Sequence, residues 1–112
     1  MKQRTKALAV EIIRFFRTLP RTNEARVLGR QVLRSGTSVA ANYRAACRAK
    51  SKADFISKLG NVVEEADETI LWLELFAAAQ VCPAELVTHL KSESEELLQI
   101  FSASLATARK DN

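Results

Sequence analysis

Residues 24–48 contain three chemically different rows of side chains, each spaced to lie on one face of a single α-helix. An α-helix turns by about 100° per residue, so the members of a row share a narrow arc of its surface. The basic row comprises Arg26, Arg30, Arg34, Arg44 and Arg48. The polar row comprises Gln31, Ser35, Ser38 and Asn42, and the apolar row comprises Leu28, Val32, Val39 and Ala46. These rows predict one long helix with a core-facing side, a polar seam and a basic outer surface.

Two glycines in this segment leave an alternative open. Gly29 and Gly36 each cost about 1 kcal/mol relative to alanine in a helix interior, so the residues around Gly36 could instead form a turn between two shorter helices. A break there would put Arg44 and Arg48 out of phase with the other arginines. We therefore favour one unbroken helix, in which the glycines allow a neighbouring helix to approach closely.

The rest of the chain also has the period of amphipathic helices. Apolar residues recur every three or four positions through most of the 112 residues, which include only three glycines and two prolines. We predict helices over residues 2–18, 23–48, 52–80 and 83–109. Short connections make neighbouring helices antiparallel. The chain is therefore predicted to be all-α, with residues 1–112 forming a single domain, an antiparallel up-and-down four-helix bundle.

Residues that stop or cap helices mark the predicted connections. Pro20 ends the first helix because it lacks a backbone donor, and Thr22 or Asn23 can cap the second helix. Ser51 and Asp54 have the spacing of a capping box, with Asp in place of Glu.

Several apolar residues lie outside the predicted core faces. Residues 70–76 are apolar almost all round the third helix, and a helix of this kind is usually buried on every side. A partner subunit is the cover that we favour, and the alternative is that loops or the first helix cover these residues. The predicted oligomer interface comprises Val10, Ile13, Trp72 and Phe76.

Charge is distributed unevenly along the chain. Residues 1–52 contain 13 Lys and Arg against 2 Glu, a net charge of +11, whereas residues 53–112 contain 4 Lys and Arg against 11 Asp and Glu, a net charge of −7. One interpretation is that basic and acidic helices pair within the bundle or between subunits. The other is that a basic surface binds nucleic-acid phosphates. The arginine row would then follow the backbone for about 33 Å without reading the base sequence.

The polar row borders the apolar face, so its side chains need hydrogen-bond partners. The third helix offers the carboxylates of Glu65 and Glu68. One interpretation is a structural network that fixes how the helices pack, and the other is the lining of a pocket or pore. We favour the network, which comprises Gln31, Ser35, Ser38, Asn42, Glu65 and Glu68.

The sequence contains no recognisable pattern for catalysis or metal binding. His89 is the only histidine, which argues against both the paired Glu-x-x-His units of di-iron bundles and a nucleophile with an adjacent base. The glycines are isolated and form no phosphate-binding loop. Cys47 and Cys82 form neither a disulfide framework nor a Cys-x-x-Cys motif. We expect no enzymatic activity, no metal and no cofactor.

No targeting or membrane segment is predicted. A membrane-spanning helix needs a run of about 18 or more apolar residues, and none is present. Glu11 and Arg14 interrupt the apolar residues that follow the basic start, which argues against a cleavable signal peptide. We expect a cytoplasmic protein with no membrane partner.

Three segments resemble a known family: QVLRSGTSVAANY at residues 31–43, FISKL at 55–59 and EEADETILWLEL at 64–75. The family is the bacterial four-helix-bundle proteins first noticed as reading frames in intervening sequences of large-subunit ribosomal RNA genes. It is similar in fold to the accessory variability determinant of diversity-generating retroelements. The resemblance covers roughly residues 8–108, and its specific part lies in the second and third helices.

The resemblance implies a small bundle that assembles as a ring, typically a homopentamer, and a nucleic-acid or ribonucleoprotein partner. Many members have a Glu shortly after the Asn, where this chain has Ala45, so no role that depends on that acid is carried over. The family-like residues, for which the resemblance implies structural or interfacial roles, are Ser38, Asn42, Glu65, Glu68 and Trp72.

The function that we predict is a non-catalytic oligomeric bundle that binds RNA, DNA or a ribonucleoprotein through its arginine row. The alternative is a self-assembling scaffold or protein-interaction module whose charges serve only the pairing of subunits.

Overall fold

Four α-helices form an antiparallel up-and-down bundle in the computed structural model, which describes residues 1–110. The helices are α1 (Lys2–Thr18), α2 (Asn23–Cys47), α3 (Lys52–Ala78) and α4 (Ala84–Lys110). α2 packs between α1 and α3, α4 packs against α3, and α1 and α4 meet over a smaller contact. The bundle measures 47 × 21 × 20 Å. The predicted fold class is confirmed, and the last two residues of the predicted domain, 111 and 112, lie outside the described part of the chain.

α2 continues through Gly36 without a break, so the alternative of two shorter helices is wrong. At its start, Thr22 Oγ1 accepts a hydrogen bond from the backbone N–H of Ala25 across 3.3 Å, which satisfies one of the free amides of the first turn. Neither Gly29 nor Gly36 has a positive φ, so both glycines are ordinary helical residues here. The helix therefore keeps one phase over its whole length.

The start of α3 is a modified capping box. Ser51 Oγ accepts a hydrogen bond from the N–H of Asp54 across 3.0 Å, as predicted. The carboxylate of Asp54 accepts from the N–H of Lys50 across 3.2 Å, one residue before the position that a capping box uses. Hydrogen bonds from the Lys58 ammonium and the Lys50 amide lower the pKa of Asp54.

Two glycines let α1 pack closely on α2. A Cβ at Gly29 would lie 2.9 Å from Leu19 Cδ1 and 3.1 Å from Phe16 Cδ1. A Cβ at Gly36 would overlap Ile12 Cδ1, and Ile12 is fully buried. At both positions α1 or the residue after it occupies the space of a side chain, as predicted, and at Gly36 the buried Ile12 has no room to move away.

The core runs along the bundle axis, with side chains from all four helices. Ile12, Val32, Leu73 and Leu97 are each completely buried. Phe76 also belongs to this core, because it has no exposed surface and its ring meets that of Phe15 edge to face, with centroids 5.2 Å apart. The prediction that Phe76 lies on the outer side of α3 is therefore wrong.

α3 ends in a Schellman motif without glycine. Gln80 has a φ of 55°, in the left-handed region. The N–H of Gln80 donates to the carbonyl of Ala77 across 3.2 Å, and the N–H of Val81 donates to that of Phe76 across 3.0 Å. These two bonds satisfy carbonyls at the end of α3 and turn the chain towards α4.

Ion pairs hold α1 to α4. Arg4 donates two hydrogen bonds of 2.8 Å to the carboxylate of Glu93, and its Nη2 lies 2.9 Å from Glu96 Oε1. The Arg4 guanidinium lowers the pKa of Glu93. About two turns further along α1, Glu11 Oε2 lies 3.1 Å from His89 Nε2. The side-chain ion pairs of α1 are thus made to α4, whereas α1 packs on α2 through the close approach at Gly29 and Gly36.

Gly36→Ala tests the close approach of α1 and α2. We expect the free energy of unfolding to fall by about 1–2 kcal/mol, because the added methyl group overpacks the core against Ile12. Gly60→Ala is the matched control: no atom lies within 4 Å of that Cβ, so the gain in helix propensity should raise stability by about 1 kcal/mol. Urea unfolding followed by circular dichroism measures both changes. Equal stabilisation by the two substitutions would contradict the packing described here.

Gln80→Gly tests the end of α3. Glycine adopts a positive φ without the steric cost that a side chain incurs, so we expect stability to rise by about 0.5–1 kcal/mol. Gln80→Ala is the control, since it removes the polar side chain and keeps the Cβ, and it should leave stability nearly unchanged. Thermal unfolding of both variants measures the difference. A gain from alanine as large as that from glycine would show that the left-handed backbone is not the cause.

Candidate nucleic-acid interface

Exposed arginines occupy both ends of the outer side of α2. Arg26 and Arg30 lie near its start and Arg44 and Arg48 near its end, and all four are exposed. Within residues 1–110, none of the four takes part in an ion pair. At 1.5 Å per residue, about 27 Å of helix separates the two pairs. Four of the five arginines in the predicted row are thus cations without an acidic partner among the described residues, in one pair at each end of α2.

Arg34, the fifth arginine of the row, faces α3. Its Nη1 lies 3.3 Å from Glu65 Oε2, and its Nη2 forms an ion pair with Glu68 Oε1. Its Nε also donates to Gln31 Oε1 across 3.4 Å. Arg34 lies at the edge of the basic arc that is nearest to α3, so its long side chain reaches the two acids. The structure therefore places Arg34 in the polar seam and not with the unpaired arginines.

The start of α1 and the end of α2 enclose a groove of about 500 Å³, called here the amino-terminal groove. Small side chains leave space between the two helices, and four cations surround that space. The lining includes Lys2, Lys6, Ala40, Ala41, Arg44 and Arg48. The two lysines were not among the predicted nucleic-acid-binding residues. Because the first two helices are antiparallel, the start of α1 lies beside the end of α2, and this sequence-level expectation could have identified both lysines.

A second concavity lies at the opposite end of the same two helices. It has a volume of about 290 Å³, and Arg17, Arg21 and Arg26 line it together with Phe16 and Leu19. Cations therefore border both ends of the surface that α1 and α2 share. We call this surface the basic face and define it by Lys2, Lys6, Arg17, Arg21, Arg26, Arg30, Arg44 and Arg48.

Few acidic groups are available to neutralise the basic face. Residues 1–52 have a net charge of +11, and their only two carboxylates belong to Glu11 and Glu24. Glu11 points towards α4, where it meets His89, and Glu24 lies in the first turn of α2, at the end remote from the amino-terminal groove. Residues 53–112 have a net charge of −7, and their charged groups lie on α3, on α4 or beyond them. With four lining cations against three, the amino-terminal groove is the more strongly basic of the two concavities of the basic face.

The polar seam between α2 and α3 contains two linked sets of hydrogen bonds. Ser35 and Thr69 are completely buried, and Thr69 Oγ1 donates to Ser35 Oγ across 2.9 Å. Towards the surface, Glu68 Oε1 accepts from both Arg34 and Trp72 Nε1, the latter across 3.4 Å. Among side chains of the described residues, no buried polar atom lacks a partner. The seam thus joins α2 to α3 by satisfied polar contacts.

The seam includes only part of the predicted network. Gln31, Ser35, Glu65 and Glu68 are brought together, and Arg34 and Thr69 join them without having been predicted as members. Ser38 and Asn42 are half-buried, and neither side chain forms a hydrogen bond with another of residues 1–110. Thr69 lies three residues after Ala66 and four before Leu73, so the spacing of α3 puts it beside the core, but its partner Ser35 becomes visible only when the two helices are docked.

The apolar surface differs from the predicted interface. Val10, Ile13 and Trp72 are half-buried, and Phe76 is in the core. Leu71 and Leu75 are instead the exposed apolar residues of α3, with 47% and 38% of their surface accessible. Val27 of α2 is 58% exposed and lies about two turns before Arg34. Leu75 lies about two turns after Glu68 on the antiparallel α3. Because Arg34 pairs with Glu68, Val27 and Leu75 lie at a similar height along the bundle axis.

The described residues form no cluster suited to metal binding. No group of three or more His, Cys, Asp or Glu side chains converges within residues 1–110. Cys47 is exposed and Cys82 is buried, and burial raises the pKa of the Cys82 thiol. None of the helices in this range is both long and apolar enough to cross a membrane.

Known proteins share both the sequence pattern and the fold. The family model of the 23S rRNA-intervening sequence protein matches residues 1–103. The chain is also similar to a protein of unknown function from the S23 ribosomal protein family of Bacteroides thetaiotaomicron. The two sequences are 35% identical, and the crystal structure of that protein superposes on this fold with a TM-score of 0.86. That similarity covers 93% of this chain and 96% of the other. None of the curated proteins matches the chain significantly. Because the family model spans nearly the whole sequence, this chain belongs to the 23S rRNA-intervening sequence protein family.

Proposed function

We propose that this protein is a non-catalytic, cytoplasmic, oligomeric bundle that binds RNA or DNA, free or in a ribonucleoprotein, through the basic face. The observation that carries the proposal is the amino-terminal groove, where Lys2 and Lys6 of α1 meet Arg44 and Arg48 of α2 with no carboxylate among the lining residues. Cations that no protein acid neutralises keep a counter-ion atmosphere that a polyanion can replace.

The layout of the basic face favours contacts to the sugar–phosphate backbone. Its two cationic ends are about 27 Å apart along α2, so they can contact phosphates that are several nucleotides apart. The face offers neither a short recognition helix nor a row of exposed aromatic rings for base stacking. We therefore infer binding with little sequence preference.

Salt-dependent binding tests this function. For about four to six phosphate contacts, the affinity for duplex RNA or DNA should fall by about 100-fold or more between about 50 and 200 mM salt. Arg26→Gln with Arg30→Gln should weaken binding to all sequences about equally and lower the salt slope by about 2. Arg109→Gln with Lys110→Gln is the control, since it removes the same charge from exposed residues outside the basic face. Fluorescence anisotropy measures each affinity.

Two outcomes would contradict the proposal. One is an absence of binding at low salt. The other is an equal loss of affinity in the control variant, which would mean that net charge alone, and not the basic face, attracts the nucleic acid.

Self-assembly is the second candidate function, and the exposed apolar residues of α2 and α3 favour it. Val27, Leu71 and Leu75 are exposed apolar side chains on the two helices that border the seam. A basic α1–α2 side and an acidic α3–α4 side on one subunit suit a head-to-tail contact, which closes into a ring when the rotation permits. The family resemblance implies a ring of five subunits. In the scaffold alternative, this assembly would be the whole function.

Size measurements test assembly. We expect a homo-oligomer by light scattering at micromolar concentration, and Leu71→Gln with Leu75→Gln should shift the protein towards the monomer, because the apolar area buried between subunits is lost. Leu86→Gln on α4 is the control, since Leu86 is 45% exposed and lies on another helix. A wild-type monomer at these concentrations would overturn the proposed assembly.

A further inference from the structure

The amino-terminal groove differs in shape from the rest of the basic face. It is a concavity of about 500 Å³ between two packed helices, whereas Arg30 projects from a convex helix surface. The axes of packed helices lie about 8–10 Å apart, which is too narrow for a nucleic-acid duplex to enter. The volume is in the range of sites that hold a small molecule or a single nucleotide. The groove can therefore admit the end of one strand.

The polar groups available to a ligand in this groove are almost all cationic. Lys2, Lys6, Arg44 and Arg48 line it, and none of them has an ion-pair partner within residues 1–110. The remaining polar residue, Thr5, is 1% exposed, and its hydroxyl is occupied by the carbonyls of Met1 and Lys2. The polar groups that a ligand would meet there are thus ammonium and guanidinium groups, beside the methyl groups of Ala40 and Ala41.

The local helix end adds to this positive field. α1 has no acidic residue in its first turn and no side-chain cap, so no acid of its own offsets its positive end, and the nearby Glu93 and Glu96 of α4 are paired with Arg4. Arg44 and Arg48 belong to the last turn of α2 and its cap, and they offset the negative end of that helix. Both helix ends at the groove thus present net positive charge.

We propose that the amino-terminal groove binds the terminal phosphate monoester of a nucleic-acid strand. A terminal monoester carries about −1.5 to −2 charges at pH 7 and three free acceptor oxygens, whereas a backbone diester carries about one charge and two such oxygens. A site with four cations that are unpaired within residues 1–110 and no carboxylate among its lining residues gains more from the monoester. This inference rests on the proposed nucleic-acid function and assigns a specific ligand group to one part of the basic face.

Matched RNA strands test the inference. A strand of about 12 nucleotides is prepared with a 5′-phosphate, a 3′-phosphate or hydroxyl ends, and a hydroxyl-ended strand about two nucleotides longer matches the total charge of the phosphorylated ones. We expect at least one phosphorylated strand to bind about tenfold more tightly than both hydroxyl-ended strands, as one strong charge-assisted contact would produce. Preference for the 5′ or the 3′ form identifies which end enters.

Two double variants locate the preference. Lys6→Gln with Arg44→Gln removes one cation from each wall of the groove and should bring the affinity ratio close to 1. Arg26→Gln with Arg30→Gln removes the same charge from the other end of α2 and should weaken all strands while keeping the ratio. All four positions are exposed, and circular dichroism confirms that each variant is folded.

The outcomes separate this inference from the proposed function. Salt-dependent binding of all strands with equal affinity would overturn the end-binding site and leave backbone binding intact. A preference that survives in the Lys6 and Arg44 variant would also overturn the assignment to this groove. An absence of binding to any strand would overturn the proposed function, and the inference with it.

Discussion

Close packing of α1 on α2 at Gly29 and Gly36 is the contact on which the basic face depends. The missing side chains let Phe16, Leu19 and Ile12 lie against the backbone of α2. The short connection makes the two helices antiparallel, and this contact fixes the height of α1 against α2, so the start of α1 meets the end of α2. Lys2 and Lys6 are thereby brought beside Arg44 and Arg48. The packing at Gly29 and Gly36 therefore brings cations from α1 and α2 together in one groove.

The opposite side of α2 is held by a different kind of interaction. There, Ser35 meets Thr69 in the interior, and Arg34 meets Glu65 and Glu68 near the surface. Polar contacts of this kind are directional, so they specify how α2 and α3 are aligned more than they add to stability. They also explain why the arginine row is interrupted. Arg34 is within reach of two acids on α3, whereas the arginines at the ends of α2 are not.

The position of Phe76 shows where sequence periodicity is insufficient. The second half of α3 is apolar on almost every side, so spacing alone could not decide which residues face the core. Docking against α1 decides it, because Phe15 of α1 meets Phe76 edge to face, while Leu71 and Leu75 remain exposed. α3 does expose apolar side chains, but of the two aromatic residues predicted on that side, Phe76 is buried and Trp72 is half-buried.

The amino-acid sequence by itself determined the four helices, their antiparallel order, the continuity of α2 and the concentration of positive charge in residues 1–52, because these features depend on local spacing and composition. Only the tertiary structure decided that Arg34 pairs with acids, that Thr69 joins the seam and that Lys2 and Lys6 complete a groove. These outcomes depend on the rotation and height of each helix against its neighbour, which side-chain packing fixes and which one-dimensional periodicity does not contain.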